Sequence, residues 1–135
     1  ERALDLGTGS GILAIALAMF GSAAIWATDI DPDALAEVRR NATVNRVADA
    51  LHISEASLDA LPLPFPLVLA NLFASTLIEL SLPLTSAVAS SGHAILSGIQ
   101  ADQEEAVRRA FCSPAWTLAT RLPKDDWVTL VLRRN

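Results

Sequence analysis

The chain has 135 residues, of which 52% are hydrophobic and 19% charged, and its net charge is −5. We expect one domain with a sizeable core and no membrane association, because no apolar run reaches the roughly 20 residues that a spanning helix needs. The acidic balance disfavours direct nucleic-acid binding, which depends on Lys and Arg neutralising phosphates, and is better matched to a basic protein partner. Cys112 is the single cysteine, so no internal disulfide is possible and a reducing cytoplasm is the expected compartment.

The first predicted elements are a strand, a glycine-rich turn and a helix. The strand covers residues 3–6, and Gly7, Gly9 and Gly11 follow it in the run DLGTGSGIL at residues 5–13. Glycines permit positive φ and a close approach of the backbone to a ligand, and a helix N-terminus offers free N–H groups. The helix has apolar residues at helical spacing up to Phe20 and is expected to end at Gly21.

The spacing of the glycines distinguishes two classes of cofactor. Dinucleotide enzymes use G-x-G-x-x-G, whose third glycine lets helix and strand pack closely around a pyrophosphate. Ile12 stands at that third position here, which favours a cofactor without a diphosphate, such as S-adenosylmethionine. A glycine turn alone also occurs as a plain strand–helix connection. An acid at the end of the next strand strengthens the functional interpretation.

Two acids follow the second predicted strand, residues 24–28, and only one is needed to begin the next helix. Asp31 precedes Pro32 and is expected to be the N-cap, with proline at N1. Asp29 ends the strand, where no backbone N–H obviously requires it, so we expect it to accept the hydroxyls of a ribose. The alternative is a solvated or helix-capping acid.

The remaining strands complete a seven-stranded sheet. They are predicted at residues 50–53, 67–70, 93–96, 116–120 and 127–132, and the prolines at residues 62–66 indicate a loop because proline lacks the N–H that a ladder needs. Five strands with crossovers and a closing hairpin at residues 123–126 predict an α/β fold. It is a doubly wound, mostly parallel, Rossmann-like sheet with an antiparallel last strand.

Two capping boxes are predicted to begin the later helices. Thr76 and Glu79 form the first, for a helix that Pro83 kinks and that ends at residues 91–92. Asp102 and Glu105 form the second, for a helix that reaches about residue 111.

Asn71, at the end of the fourth predicted strand, is the candidate catalytic residue. This strand end lies beside the glycine turn in a doubly wound sheet, and an asparagine offers one acceptor and two donors there. The alternative is an asparagine that stabilises a turn. The Asn-Pro-Pro-aromatic pattern of methylases that act on nucleobase amines or glutamine is absent, since Leu72 and Phe73 follow.

In order along nearly the whole chain, these motifs resemble the catalytic domain of the ribosomal protein L11 methyltransferase (PrmA) family. The runs that carry the resemblance are DLGTGSGILAIA at residues 5–16, DIDP at 29–32, ANL at 70–72, LSGI at 96–99 and WVTLVLRR at 127–134. The resemblance implies S-adenosylmethionine bound by Gly7, Gly9, Asp29 and Asn71. It also implies methylation of lysine side chains and an N-terminal amine of a ribosomal protein. We expect Asn71 to orient the incoming amine, and we expect no metal, because His52 and His93 lack metal-like partner spacing.

Two departures from the family pattern leave other functions possible for this chain. The chain lacks the family's amino-terminal recognition domain and the Gly-Thr-Gly-x-His-Pro-Thr-Thr segment before the first strand, so residues 1–135 are expected to be a fragment that forms the methyltransferase domain. One alternative is a non-catalytic or truncated remnant that retains cofactor binding. The other is a nicotinamide-dependent oxidoreductase, against which Ile12 and the lack of a second domain count.

Overall fold

The computed structural model describes residues 2–22 and 24–135 as a single sheet with helices on both faces. The strands are β1 (Arg2–Leu6), β2 (Ala24–Thr28), β3 (Leu51–Ser54), β4 (Phe65–Asn71), β5 (Val88–Gln100), β6 (Trp116–Lys124) and β7 (Trp127–Arg134). The helices are α1 (Ile12–Met19), α2 (Pro32–Val44), α3 (Ala74–Glu79), α4 (Ser81–Ala87) and α5 (Glu104–Ala110).

The order of the strands confirms the predicted doubly wound sheet. It runs β3-β2-β1-β4-β5-β7-β6, with the first five strands parallel and β7 antiparallel to both of its neighbours. The strand order reverses between β1 and β4, where Leu6 pairs with Ala70. Ligands bind at such a reversal, outside the carboxyl ends of the strands. The glycine turn after β1 and Asn71 at the end of β4 therefore lie at the same place in the fold.

Each face of the sheet buries its own apolar cluster. Fully burying an aliphatic side chain stabilises the fold by about 1.5–3 kcal/mol, and alternate residues of a strand contribute to opposite faces. Helices α1 and α2 cover one face with Ala14, Ile15, Val38 and Ala42 against Ala3, Ile25 and Ala27. Helices α3 to α5 cover the other with Leu77, Leu84 and Val107 against Leu4, Phe65, Val68, Leu96 and Leu130.

Both predicted capping boxes are wrong. Helix α3 begins at Ala74, so Thr76 and Glu79 lie inside it. A 3₁₀ turn at Ala101–Gln103 precedes α5, and the Gln100 N–H donates to Oε1 of Gln103 at 3.3 Å. The box pattern also fits two residues one turn apart within a helix, so the pattern alone does not fix where a helix begins.

The segment after α3 also differs from the prediction. The helix breaks at Leu80 rather than kinking at Pro83. Pro83 is the third residue of α4, and the N–H groups of the first turn have no partner within a helix, so the missing N–H of proline costs no hydrogen bond there. Helix α4 ends at Ala87, and residues 91–92 lie within β5 instead of ending a helix. Ser91 there has φ of 64°, and the pairing of β5 with β4 shifts register between Phe65 and Leu67.

The same register shift explains why β4 is longer than predicted. The strand includes Phe65 and Pro66, which we assigned to a loop. Pro66 lies at the irregularity in the ladder, so its missing N–H costs no paired bond.

The ends of β6 and α1 also differ from the prediction. Strand β6 reaches Lys124, leaving a turn of Asp125 and Asp126, with Asp125 at φ of 52°. Phe20 is 89% exposed and does not belong to the buried stripe of α1, although Gly21 has the positive φ expected after a helix.

Candidate active site

The three glycines of the turn after β1 have positive φ for different structural reasons. A Cβ on Gly7 (φ 71°) would lie 2.5 Å from Cδ2 of Leu72, and one on Gly11 (φ 84°) would lie 2.8 Å from Cγ1 of Val38. A Cβ on Gly9 (φ 56°) would meet no described atom within 4 Å. Gly7 and Gly11 therefore permit close packing inside the protein, whereas Gly9 presents bare backbone to open space.

The buried side chain of Asp5 holds the turn in place by hydrogen bonds, a role that we did not predict. Its buried carboxylate accepts the Thr8 hydroxyl at 2.7 Å and the Ala14 N–H at 3.1 Å, both through Oδ2. Burial raises the pKa of Asp5 above its ordinary value, against the opposing effect of these two hydrogen bonds. Thr8 also donates its N–H to the carbonyl of Thr28 at 2.8 Å. The sequence signal for this role is an acid within the apolar run of β1.

Asp29 lies beside the open side of the turn, as expected, but it also has two backbone partners. Its Oδ2 accepts the Gly9 N–H at 2.9 Å, and its Oδ1 accepts the Asp31 N–H at 3.0 Å. The expectation that no backbone N–H requires this carboxylate is therefore wrong. Each carboxylate oxygen retains acceptor capacity beyond one bond. Asp31 is the predicted N-cap, and its Oδ1 accepts the Asp33 N–H at 2.9 Å.

Asn71 ends β4 with an exposed side chain, and Gly98 of β5 makes room for it. A Cβ on Gly98, whose φ is 79°, would lie 2.7 Å from Oδ1 of Asn71 and 2.8 Å from the carbonyl oxygen of Leu72. The Leu72 N–H donates to the carbonyl of Ser97 at 3.2 Å. The missing side chain of Gly98 therefore leaves the space that the Asn71 amide occupies, and Gly98 had no assigned role in our interpretation of the sequence.

A cavity of about 490 Å³ opens beside Asn71. It lies where β4 and β5 end and β7 begins, and its lining residues are Asn71, Leu72, Phe73, Thr76, Gly98, Trp127, Val128 and Thr129. Leu72 connects the two parts of the site, because it lines this cavity and also packs against Gly7. The structure thus brings the glycine turn and Asn71 together through Leu72.

The histidines take no part in this arrangement. His52 stacks on Trp26 with ring centroids 4.3 Å apart, and His93 pairs with Arg133 in the ladder between β5 and β7. Within residues 2–22 and 24–135, no group of three or more His, Cys, Asp or Glu side chains could hold a metal ion. None of the helices in the described part of the chain has the length and apolar character that crossing a membrane requires.

Comparisons with known proteins agree with this architecture. The profile of the ribosomal protein L11 methyltransferase (PrmA) family matches residues 1–135. Ribosomal protein L11 methyltransferases of Pelobacter propionicus and Citrifermentans bemidjiense are 38% and 46% identical over 131 and 132 residues, each match covering 97% of this chain and 42% of the relative. The chain therefore spans less than half the length of these curated relatives.

Solved structures show the same fold. A ribosomal protein L11 methylase from Lactobacillus delbrueckii subsp. bulgaricus superimposes with a TM-score of 0.93 at 30% identity, over 99% of this chain and 70% of that one. An RNA methyltransferase from Salinibacter ruber, solved with S-adenosyl-L-homocysteine, shares the fold at 19% identity with a TM-score of 0.80, over 99% of this chain and 80% of that one. Because the family profile matches the entire sequence, the chain belongs to the ribosomal protein L11 methyltransferase (PrmA) family.

Proposed function

We propose that this chain is an S-adenosylmethionine-dependent methyltransferase domain, residues 1–135, that transfers methyl groups to lysine or N-terminal amines of a ribosomal protein. One observation carries the proposal: the open backbone of Gly9, with Asp29 beside it, lies at the strand-order reversal next to Asn71. Membership of the PrmA family favours this function over a nicotinamide-dependent oxidoreductase or an inactive remnant.

The residues of the turn fit S-adenosylmethionine. The open side of Gly9 would face the amino-acid end of the cofactor, and Gly7, whose missing Cβ makes room for Leu72, would contribute its peptide backbone. The remaining acceptor capacity of Asp29 suits the two ribose hydroxyls. Ile12, at the position where dinucleotide enzymes have their third glycine, carries a β-branched side chain that is 67% exposed, which disfavours a pyrophosphate pressed against α1. When bound, the cofactor supplies a methyl group on a positively charged sulfur, and no metal is needed to activate it.

Asn71 is the residue that we assign to the incoming amine. Its exposed amide borders the cavity, and its carbonyl oxygen would accept a hydrogen bond from the amine and orient it. A lysine with a pKa near 10.4 must lose a proton first, at a cost of roughly 4–5 kcal/mol at neutral pH. Orientation contributes about 7–11 kcal/mol, which exceeds this cost, so we assign no general base.

The partner that we propose is a basic protein segment. The net charge of −5 opposes binding to nucleic-acid phosphates and favours Lys- and Arg-rich surfaces. Curated relatives bear the name of ribosomal protein L11, and they contain residues beyond the part matched here, to which we assign recognition of the substrate. Methylation of a ribosomal protein would place the reaction in the cytoplasm.

Calorimetric titration with S-adenosylmethionine tests the cofactor assignment. We expect Asp29→Ala to raise the dissociation constant at least about tenfold, because hydrogen bonds to a charged group contribute about 1.5–3 kcal/mol each. Asp31→Ala is the matched control, since it removes a helix cap two residues away and should leave the affinity nearly unchanged. An unchanged affinity in Asp29→Ala, or NAD binding as tight as that of S-adenosylmethionine, would contradict the assignment.

Asn71→Ala distinguishes a role of Asn71 in orienting the amine from a role in binding the cofactor. We expect this variant to lower the rate of methyl transfer to ribosomal protein L11 far more than it lowers cofactor affinity. Transfer of a labelled methyl group and calorimetry on the same preparation measure the two quantities. A larger effect on affinity than on rate would reassign Asn71 to the cofactor. Cofactor binding without any transfer by a longer chain, one that carries the additional residues of the relatives, would support the inactive remnant.

A further inference from the structure

We infer that Asn41 of α2 is a positioning residue for the cofactor site. Its side-chain amide holds the glycine turn in the shape that receives the amino-acid end of S-adenosylmethionine. The inference rests on the proposed methyltransferase function and deepens it. Nδ2 of Asn41 donates to the carbonyl oxygen of Ser10 at 2.8 Å, across 31 positions of sequence. Ser10 lies directly between Gly9, whose open side we assign to the cofactor, and Gly11.

The peptide group between Ser10 and Gly11 is held at both of its polar atoms. Its carbonyl oxygen accepts from Asn41, and its N–H, which belongs to Gly11, donates to the carbonyl oxygen of Thr8 at 2.9 Å. Glycine has more backbone freedom than any other residue, and the turn has three glycines among residues 7–11. Bonds from outside the turn therefore restrict it to one shape. Without the Asn41 amide, this peptide group would be held only through its N–H.

Helix α2 presents Asn41 to the turn together with Val38. The two residues are three positions apart, so they are neighbours on one face of the helix. Val38 packs into the space that the missing Cβ of Gly11 leaves, and Asn41 bonds the residue just before Gly11. Val38 thus sets the distance between α2 and the turn, while Asn41 sets the orientation of a peptide group within it.

Helix formation alone does not explain an asparagine at position 41. Asparagine is a weaker helix former than alanine or leucine, because its amide competes with the backbone for hydrogen bonds. Asn41 is nevertheless part of α2, half-buried and directly before the fully buried Ala42. The hydrogen bond to the turn gives its amide a role that α2 by itself does not require.

Calorimetry with two ligands separates positioning from stability. S-adenosylhomocysteine carries the amino-acid end of the cofactor, whereas 5′-methylthioadenosine has the same nucleoside without it. Asn41→Asp replaces the amide donor by an acceptor of nearly the same shape, so its carboxylate would repel the Ser10 carbonyl oxygen. We expect this variant to raise the Kd for S-adenosylhomocysteine at least about fivefold, and the Kd for 5′-methylthioadenosine less than about twofold.

Asn45→Asp is the matched control for this substitution. It makes the same change one helical turn further along, where Nδ2 of Asn45 donates to the backbone carbonyl of Asn41 at 2.8 Å. Both variants place a negative charge near the C-terminus of α2, which is unfavourable for the helix. A loss of stability therefore affects both variants. It lowers the fraction of protein that binds, seen as the stoichiometry, but not the Kd of the molecules that remain folded.

Asn41→Ala keeps the test decisive if Asn41→Asp does not fold. Alanine removes the donor without adding a charge, and it favours the helix. We expect weaker binding of S-adenosylhomocysteine by Asn41→Ala as well, with 5′-methylthioadenosine again nearly unaffected.

The inference alone would be overturned if the Asn41 variants bound S-adenosylhomocysteine as tightly as Asn45→Asp does. An equal loss of affinity for both ligands would also overturn it, because the amino-acid end would then not be the part that the turn receives. If wild type bound neither ligand, the proposed function would fail instead.

Discussion

At the scale of single residues, Asp5 connects the glycine turn to α1. One oxygen of its carboxylate accepts from both Thr8 and Ala14, in a strand where the residues on either side of Asp5 are leucines. Removing the carboxylate would leave a buried hydroxyl and a buried N–H without partners, at about 1–3 kcal/mol each. A charged group in this position is itself costly, because burial disfavours the ionised form. Asp5 therefore stabilises the geometry of the turn through its hydrogen bonds and opposes folding through its charge.

The stabilising hydrogen bonds and the destabilising buried charge of Asp5 together predict the pH dependence of an Asp5→Asn variant. Because burial raises the pKa of Asp5 from 3.8, the folded state binds its proton more tightly than the unfolded chain. Its contribution to stability is therefore largest below pH 3.8 and is lost as pH rises through the folded pKa. Asparagine retains an acceptor oxygen and does not ionise, so we expect Asp5→Asn to gain stability relative to wild type between pH 4 and pH 7. Urea unfolding at both values measures the gain.

Asp5→Ala is the control for this comparison. It removes the acceptor together with the charge, so we expect it to destabilise the protein at pH 4 and at pH 7 alike. Parallel pH responses of wild type and Asp5→Asn would show that the carboxylate ionises in the folded protein as readily as in the unfolded chain.

At the scale of elements, the glycine turn sets how closely α1 approaches α2. Gly11 directly precedes α1, and its missing Cβ is what lets Val38 of α2 pack against it. Gly9 has the same left-handed backbone but an open side. The two glycines are two residues apart in sequence, yet Gly11 serves the packing of helices and Gly9 leaves open the side on which we propose that the cofactor binds.

Alanine substitutions at these two glycines are expected to have different effects. Gly11→Ala combines a strained φ, at about 1–3 kcal/mol, with overpacking against Val38, at about 1–3 kcal/mol, so we expect at least about 2 kcal/mol of destabilisation. Gly9→Ala carries the strain without the overpacking and should destabilise less, while it weakens S-adenosylmethionine binding. Urea midpoints and calorimetry measure the two effects. Adding Val38→Ala should partly rescue Gly11→Ala, and equal destabilisation by both alanines would contradict this account.

At the scale of the whole molecule, one ion pair joins α5 to the edge strand β6. Residues 117–124 of β6 are exposed, and Arg121 among them donates through Nε and Nη2 to the two oxygens of Glu104, at 2.6 and 2.7 Å. Glu104 is 9% exposed. Two parallel bonds between a guanidinium and a carboxylate fix geometry better than one bond does. The pair thus orients the outer hairpin against the helical layer.

Substitution of Glu104 by Gln is expected to destabilise the protein in a pH-dependent way. The hydrogen bond from Arg121 lowers the pKa of Glu104 from 4.5, so the stability that this carboxylate contributes is present above pH 4.5 and is lost as pH falls through the folded pKa. We expect Glu104→Gln to have a lower Tm than wild type at pH 7, and the difference to shrink toward pH 3. Circular dichroism melts measure both.

Glu105→Gln is the matched control for this ion pair. Glu105 pairs with Arg109 at 2.6 Å, but both side chains are largely exposed, and exposed pairs within one helix contribute little. We expect its Tm to stay near that of wild type. An equal change in Tm for the two glutamine variants would show that the ion pair between α5 and β6 stabilises the protein no more than an exposed pair within one helix.

The sequence by itself determined the features that depend on residues close along the chain. The glycine turn, the Asp31 cap with Pro32 at N1 and the order of strands and helices follow from local backbone preferences and apolar periodicity. The position of Asn71 beside the turn was predictable as well, because parallel strands place their carboxyl ends at one edge.

Only the tertiary structure decided the features that need contacts between distant segments. Capping-box patterns at Thr76 and Asp102 are equally compatible with positions inside a helix or a 3₁₀ turn, and the packing of the chain selects between them. The bulge that accommodates Pro66 depends on β5, and the Gly9 partner of Asp29 depends on the turn after β1. Phe73, Gly98 and Trp127 form one cavity because the sheet brings β4, β5 and β7 side by side. Their chemistry could be identified from the residue types, but their proximity is a property of the fold.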